Sequence, residues 1–223
     1  MLMFRKYTRI VIIAVICTLA PVLINAIGNA QTVQLGTTNM ERYSYKYIVG
    51  LYEQGDSSTL LKEIKLFYAK YPSSELLSYV QLIEANVHME QGQYTQALEL
   101  YDKLIGKDID LSLRHELYLN RALTLYALGE SDQAMTQVQF LQSETKNPSL
   151  LAEANLLRAR LYKKAGQYFS ALKAYDSAII VYPEDQEISY ERFEVLVKLG
   201  REDEAEELLS QVTDSTEIGR AHV

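Results

Sequence analysis

One cysteine, Cys17, stands in 223 residues, and it lies inside an apolar run, so the chain offers no intrachain disulfide and no cysteine-built metal site. Histidine, the usual general base and a common metal ligand, is nearly as scarce, with only His88, His115 and His222. Gly106-Lys107 lacks the earlier glycine and the following Ser or Thr of a phosphate loop, which removes the nucleotide reading. Asp108-Ile109-Asp110 puts two carboxylates in a loop without the other oxygen ligands of a calcium site, so it reads as a solvated loop. Positive charge is short too. Every acidic residue follows Ala30, and residues 31–223 carry 29 acids against 19 bases, a net of −10, which is poorly matched to nucleic acid. The sequence therefore points to no catalytic residue, no cofactor and no metal.

What is present begins with one apolar run. Arg5, Lys6 and Arg9 precede Ile10 to Ala20, which Pro21 to Ile24 extend before Asn25 interrupts it. This is the pattern of a secretory signal, and Gly28-Asn29-Ala30 supplies small residues for cleavage after Ala30. The run is short for a span of ~20 residues, so an uncleaved N-terminal membrane anchor is the second reading of 1–30. Under either reading the basic flank stays inside and the rest of the chain faces the extracytoplasmic side. Ile16 before Cys17 departs from the small residue of a lipobox, which argues against lipidation. Residues 31–40, with Gln, Thr, Asn and Gly but no helical stripe, read as a linker.

The remainder is repetitive. Half of the ten glycines, Gly55, Gly92, Gly129, Gly166 and Gly200, fall at successive spacings of 37, 37, 37 and 34 residues. The clearest copy is Ala165-Gly166-Gln167-Tyr168-Phe169-Ser170-Ala171, continuing through Tyr175 and Ala178 to Tyr182-Pro183, and Gly92-Gln93-Tyr94-Thr95-Gln96-Ala97 nearly duplicates its start. With its glycine turn, helix-B alanine and aromatic, and closing proline, this pattern resembles the tetratricopeptide repeat, a helix-turn-helix unit of about 34 residues. The resemblance covers 41 to about 213. It implies an all-α fold, a right-handed superhelical solenoid of about five helical hairpins over 41–216, with Ala122, Ala134, Ala159 and Ala171 at tight helix contacts. The extra three residues of the longer periods are expected where helix B meets the next helix A, at Tyr71-Pro72-Ser73-Ser74 and Lys146-Asn147-Pro148-Ser149. Ser57 is the expected N-cap of the first helix B. Ile48, Leu60, Phe193 and Glu202 depart from the pattern in the first and fifth units, and a terminal unit has only one neighbour to satisfy.

Ile218 to Val223 is the translation of ATC GGA AGA GCA CAC GTC, which resembles a widely used sequencing adapter. Residues 217–223 are therefore expected to be foreign to the gene, with the natural repeats continuing past Thr216 into a sixth repeat or capping helix.

Seventeen tyrosines are the most unusual feature of the composition. Tyr94, Tyr101, Tyr162, Tyr168 and Tyr175 fall at the packing positions of the repeat. In tetratricopeptide proteins helix-A residues line an inner groove, and the register puts Tyr45, Tyr52, Tyr79, Asn86, Met89, Leu119, Tyr126 and Tyr190 there, with Leu82 beside them. Glu53, Glu90, Glu116 and Glu153 flank the same helices. The resemblance thus implies a groove for an apolar or aromatic segment with basic neighbours. The lysine, asparagine and arginine set with which some members hold a C-terminal carboxylate is missing. Tyr45 and Val49 stand at its first positions and Glu116 and Asn120 at its later ones. Arg160, Lys163 and Lys164 read as a solvated basic face, His88 as a packed core residue, and His115 as a solvated residue opening a helix.

The function implied is that of an exported, non-enzymatic scaffold for other envelope proteins or peptide segments, touching the membrane only through 1–30 if that segment is kept. The periods and junctions resemble those of bacterial envelope proteins such as the Tol-Pal coordinating protein and the outer-membrane assembly lipoprotein. The alternative is an accessory subunit of a cell-wall or polysaccharide enzyme, or the repeat part of a longer protein.

Overall fold

A glycine just past the last turn of a helix can take the left-handed conformation that an L side chain resists, letting two backbone amides fold back onto the helix end. Gly166 does this with φ 73°: its own N–H reaches the Lys163 carbonyl at 3.1 Å, and the next amide, Gln167 N, reaches Tyr162 O at 2.9 Å. The same pair of bonds recurs at the other four repeat glycines, so five turns share one geometry.

The computed structural model describes residues 39–107 and 109–210. Among them, regular structure is entirely helical. The five turns join α1 (Asn39–Glu53) to α2 (Ser57–Lys70), α3 (Leu77–Glu90) to α4 (Tyr94–Leu104), α5 (Leu111–Leu128) to α6 (Ser131–Glu144), α7 (Pro148–Lys164) to α8 (Tyr168–Ile179), and α9 (Gln186–Lys198) to α10, described over 202–210. No described helix is long and apolar enough to cross a membrane. The expectations for 1–30, 31–38 and the tail 217–223 lie outside the described residues.

Three local expectations need correction. The first helix starts at Asn39, inside the stretch read as linker. Asp56, not Ser57, caps α2, because the turn ends at Asp56 and its carboxylate accepts from Thr59 N at 3.2 Å, leaving Ser57 as the first helical residue. The extra residues of the longer periods lie in the helices, not the junctions. Residues 71–76 and 105–110 link hairpins in 37-residue periods, yet 180–185 is an equally long link in the 34-residue period, and 145–147 is shorter. The difference is that α2 and α3 each have 14 residues where α8 and α9 have 12 and 13. The proline junction does cap as expected at α7, where Asn147 Oδ1 accepts from Ser149 N and Leu150 N and Pro148 opens the helix.

The chain divides into two compact units between Thr124 and Leu125, within α5. In the first, α3 is apolar on two sides. Val80, Ile83 and Val87 pack with Ile48, Leu60, Ile64 and Phe67, while Leu82, Ala85 and Met89 pack with Ala97, Tyr101, Leu104, Leu113 and Leu117. A helix covered on both sides needs such a distribution. In the second unit α7, α8, α9 and α10 close on one core around Ala159, Ala171, Tyr175, Ile188, Val195 and Ala205.

Ala159 and Ala171 are fully buried there, the small residues of a close helix contact. Ala171→Leu is therefore expected to cost about 1–3 kcal/mol by overpacking, whereas Lys173→Leu, at an exposed position of the same helix, should leave the melting temperature nearly unchanged. Equal melting temperatures for the two variants would contradict this packing.

Candidate functional site

Counting from each turn glycine identifies the equivalent residues of successive hairpins. Six before it stand Val49, Asn86, Leu123, Arg160 and Glu194; nine before it Lys46, Ile83, Asn120, Leu157 and Glu191; thirteen before it Arg42, Tyr79, Glu116, Glu153 and Glu187. Within the first unit these positions on α3 and α5 form a buried polar node. Asn86 Nδ2 donates to Glu116 Oε1 at 3.0 Å, and Asn86 Oδ1 accepts from Asn120 Nδ2 at 3.0 Å and from the Tyr101 hydroxyl at 2.8 Å. Asn86, Glu116 and Asn120 are all buried, and Glu116 Oε2 and Asn120 Oδ1 have no hydrogen-bond partner. Burial raises the Glu116 carboxyl to about 7, although the Asn86 amide pulls the other way.

Around this node lie tyrosines paired with carboxylates. The Tyr52 hydroxyl on α1 donates to Glu90 Oε1 on α3 at 2.8 Å, and the Tyr79 hydroxyl on α3 donates to Asp110 Oδ2 at 3.2 Å. Tyr45 meets Tyr79 edge-on, with ring centroids 6.3 Å apart. Tyr52, Tyr79 and Glu90 are half-buried and Asp110 is exposed, so the α1–α3–α5 side of this unit presents aromatic edges interleaved with acid. Burial first, then Glu90, raises the Tyr52 hydroxyl well above its usual range, so it remains a donor.

The second unit builds a node from equivalent positions with different chemistry. Arg160 replaces the asparagine, and its guanidinium reaches Glu187 at 2.8 Å and Glu191 at 3.0 Å, while Tyr175, equivalent to Tyr101, donates to Glu191 at 2.5 Å. Burial lowers the Arg160 pKa, but Glu191 and Glu187 outweigh it and hold the group above its usual value. Lys163 pairs with Glu194 at 3.2 Å, and the Lys164 ammonium sits 5.3 Å from the Tyr126 ring centroid. The solvated basic face expected at Arg160, Lys163 and Lys164 is thus corrected at Arg160, which is buried against acids of α9, and at half-buried Lys163, which pairs with Glu194, whereas Lys164 is exposed as expected.

The residues assigned to a groove divide accordingly. Tyr52, Tyr79 and Tyr126 are half-buried, each with a polar or cationic partner, and Tyr190 is 60% exposed with its ring stacked on Phe193 at 6.3 Å. Tyr45, Asn86, Met89 and Leu119 are not surface residues. They are buried because the inner stripe of one helix A is covered by neighbouring helices, and single-helix register cannot show this. His88 is hydrogen-bonded as expected, to the Gln93 side chain, but half-buried instead of in the core, and His115 is buried where a solvated position was expected. No group of three or more His, Cys, Asp or Glu positioned to hold a metal occurs among the described residues.

The model of the tetratricopeptide repeat-like domain matches residues 3–203. The chain belongs to this family. Among solved structures, a tetratricopeptide repeat protein from Parabacteroides merdae superposes with a TM-score of 0.63 at 20% identity, over 80% of this chain and 68% of its own. MamA gives 0.63 at 16% identity over 83% and 99% of the two chains. YrrB, a tetratricopeptide repeat protein with an unusual peptide-binding site, gives 0.58 at 16% over 79% and 87%. At these identities the likeness is one of fold. No curated protein matches the chain. Within the repeat, sequence reasoning missed Glu187 and Glu191 altogether and named Glu116 and Asn120 without seeing them as partners of Asn86. Their signal was available as polar residues nine and thirteen before a turn glycine, opposite a polar residue six before the preceding one.

Proposed function

We propose that the chain is a non-enzymatic, extracytoplasmic scaffold, tethered by its N-terminal apolar run, that binds extended segments of envelope proteins carrying Lys or Arg beside apolar anchors. The observation that carries this reading is the aromatic and acidic strip of the first unit, where Tyr52 on α1 meets Glu90 on α3, and Tyr79 on α3 meets Asp110 in the link before α5. Tyrosine edges offer contact area at low conformational cost, and neighbouring carboxylates favour cationic partners. The peptide-binding site of YrrB, on a similar fold, supports a peptide-sized ligand. We read the basic flank Arg5, Lys6 and Arg9 and the apolar run Ile10 to Ile24 as a retained anchor that keeps the N-terminus inside.

The Tyr79→Ala/Asp110→Lys double variant tests the strip, because Asp110 is exposed and Tyr79 is half-buried at the rim of the core. In capture from envelope extract it should keep wild-type circular dichroism and lose its partners at least tenfold, the scale of losing one interface anchor of about 1.4 kcal/mol or more. A folded variant that retains every partner would remove this face from the binding surface.

A further inference from the structure

We propose that the outer stripe of α1, Met40, Tyr43, Lys46 and Tyr47, rests on the headgroup layer of an anionic bilayer. The inference rests on the anchored reading of residues 10–24. The stripe falls at steps of three and four residues opposite the buried side of the helix, which carries Tyr45, Ile48, Val49 and Leu51. Met40, Tyr43 and Tyr47 are 61%, 68% and 53% exposed, a concentration of large apolar side chains that no other described helix repeats. A methionine and two tyrosines around a lysine suit a lipid headgroup layer, where rings sit at the water boundary and an ammonium meets phosphate.

Charge and tether length single out the same helix. The exposed charged side chains of α1 and α2 are Lys46, Lys62, Lys65 and Lys70 against Glu53 and Asp56, whereas residues 71–223 carry 25 acids and 14 bases. The first hairpin is thus the cationic end of an acidic chain, and lysines near an anionic surface are drawn to it. Between Ile24, where the apolar run ends, and Asn39, where α1 begins, lie 14 residues without an acid or a base. Even fully extended, this tether reaches no more than about 50 Å. It holds α1 beside the bilayer at high effective concentration, so a weak surface contact is populated.

The absence of tryptophan makes the test direct. Full-length chain with a single Tyr43→Trp or Tyr47→Trp is reconstituted into phosphatidylcholine vesicles with or without phosphatidylglycerol, with a doxyl lipid quencher. Tyr190→Trp, at an exposed tyrosine of α9, is the control. The expected result is flotation with both vesicle types, blue-shifted emission and quenching at positions 43 and 47 with the anionic lipid, and neither at 190. Lys46→Glu in the same background should reduce the quenching. Flotation with no more quenching at 43 and 47 than at 190 overturns the contact and leaves the anchor standing. Failure to float with either vesicle overturns the anchor and the contact together. Blue-shifted emission at 43 and 47 without vesicles and without lipid quenching would put protein on this face, from residues 1–38 or a second copy, and would also overturn it.

Discussion

Glu116→Gln is expected to leave stability nearly unchanged at pH 5 and to raise it by roughly 3 kcal/mol at pH 8, at about 1.4 kcal/mol per pH unit. The wild-type carboxyl sits at about 7 in the folded chain against a usual 4.5, because burial disfavours its charged form and the Asn86 hydrogen bond offsets only part of this. Below pH 4.5 both the folded and unfolded chains hold the proton. Between 4.5 and 7 only the folded chain keeps it, so stability falls as pH rises through that window, and above 7 the full cost of a buried carboxylate is in place. Glutamine has the same shape with no charge to bury, and its amide can donate where Glu116 Oε2 now has no partner. Glu90, Glu153 and Glu187 are also raised by burial and bend the pH profile in the same direction. The informative quantity is therefore the difference between variant and wild type in urea unfolding at pH 5, 6, 7 and 8. Amide exchange in α3 reads the first unit by itself, since two units need not unfold together. A difference that does not grow with pH would contradict the buried carboxylate.

The hairpins were legible because their signals are local. A glycine that must turn left, an alanine that must fit between helices and a proline that stops one mark Gly166, Ala171 and Pro183 without reference to anything distant. The polar nodes were not, because a position such as six before the turn takes Val49, Asn86, Leu123, Arg160 or Glu194, and its meaning depends on what the next hairpin sets opposite. Asn86 and Arg160 become comparable only when Glu116 with Asn120, and Glu187 with Glu191, are seen to meet them. The candidate site was half legible for the same reason. Helix-A register found Tyr52 and Tyr79, whose hydroxyls reach carboxylates at its edge, and equally admitted Tyr45 and Leu119, which the adjoining helices bury. The Asp56 cap was missed because the cap is whichever residue follows the turn, and the preference of serine for that role is weaker than the geometry.

Arg160→Asn should convert the node of the second unit into the kind found in the first. The guanidinium is 10% exposed and its partners Glu191 and Glu187 are 14% and 30% exposed, so removing it leaves two carboxylates largely out of water, Glu191 with the Tyr175 hydroxyl and the more distant Lys163 ammonium at 3.9 Å. Breaking one side of such a buried pair costs about 3–5 kcal/mol, most of it the burden of the uncompensated charge. Because that burden is electrostatic, it should depend on pH. At pH 8 the stranded carboxylates are ionised and the full loss is expected, while at pH 5 a proton taken up by the folded variant relieves part of it, as burial already arranges at Glu116. Arg160→Asn combined with Glu191→Gln should recover a fraction of the loss at pH 8, since one of the stranded charges is gone, and the two changes should be far from additive because their side chains touch. The measurement is urea unfolding of the four chains of this cycle at pH 5 and pH 8. A loss below about 1 kcal/mol at pH 8, within the range of exposed ion pairs, would mean that the Arg160 node is solvated in solution. A large loss that is the same at both pH values would trace the effect to the packing of the arginine stem, not to its charge.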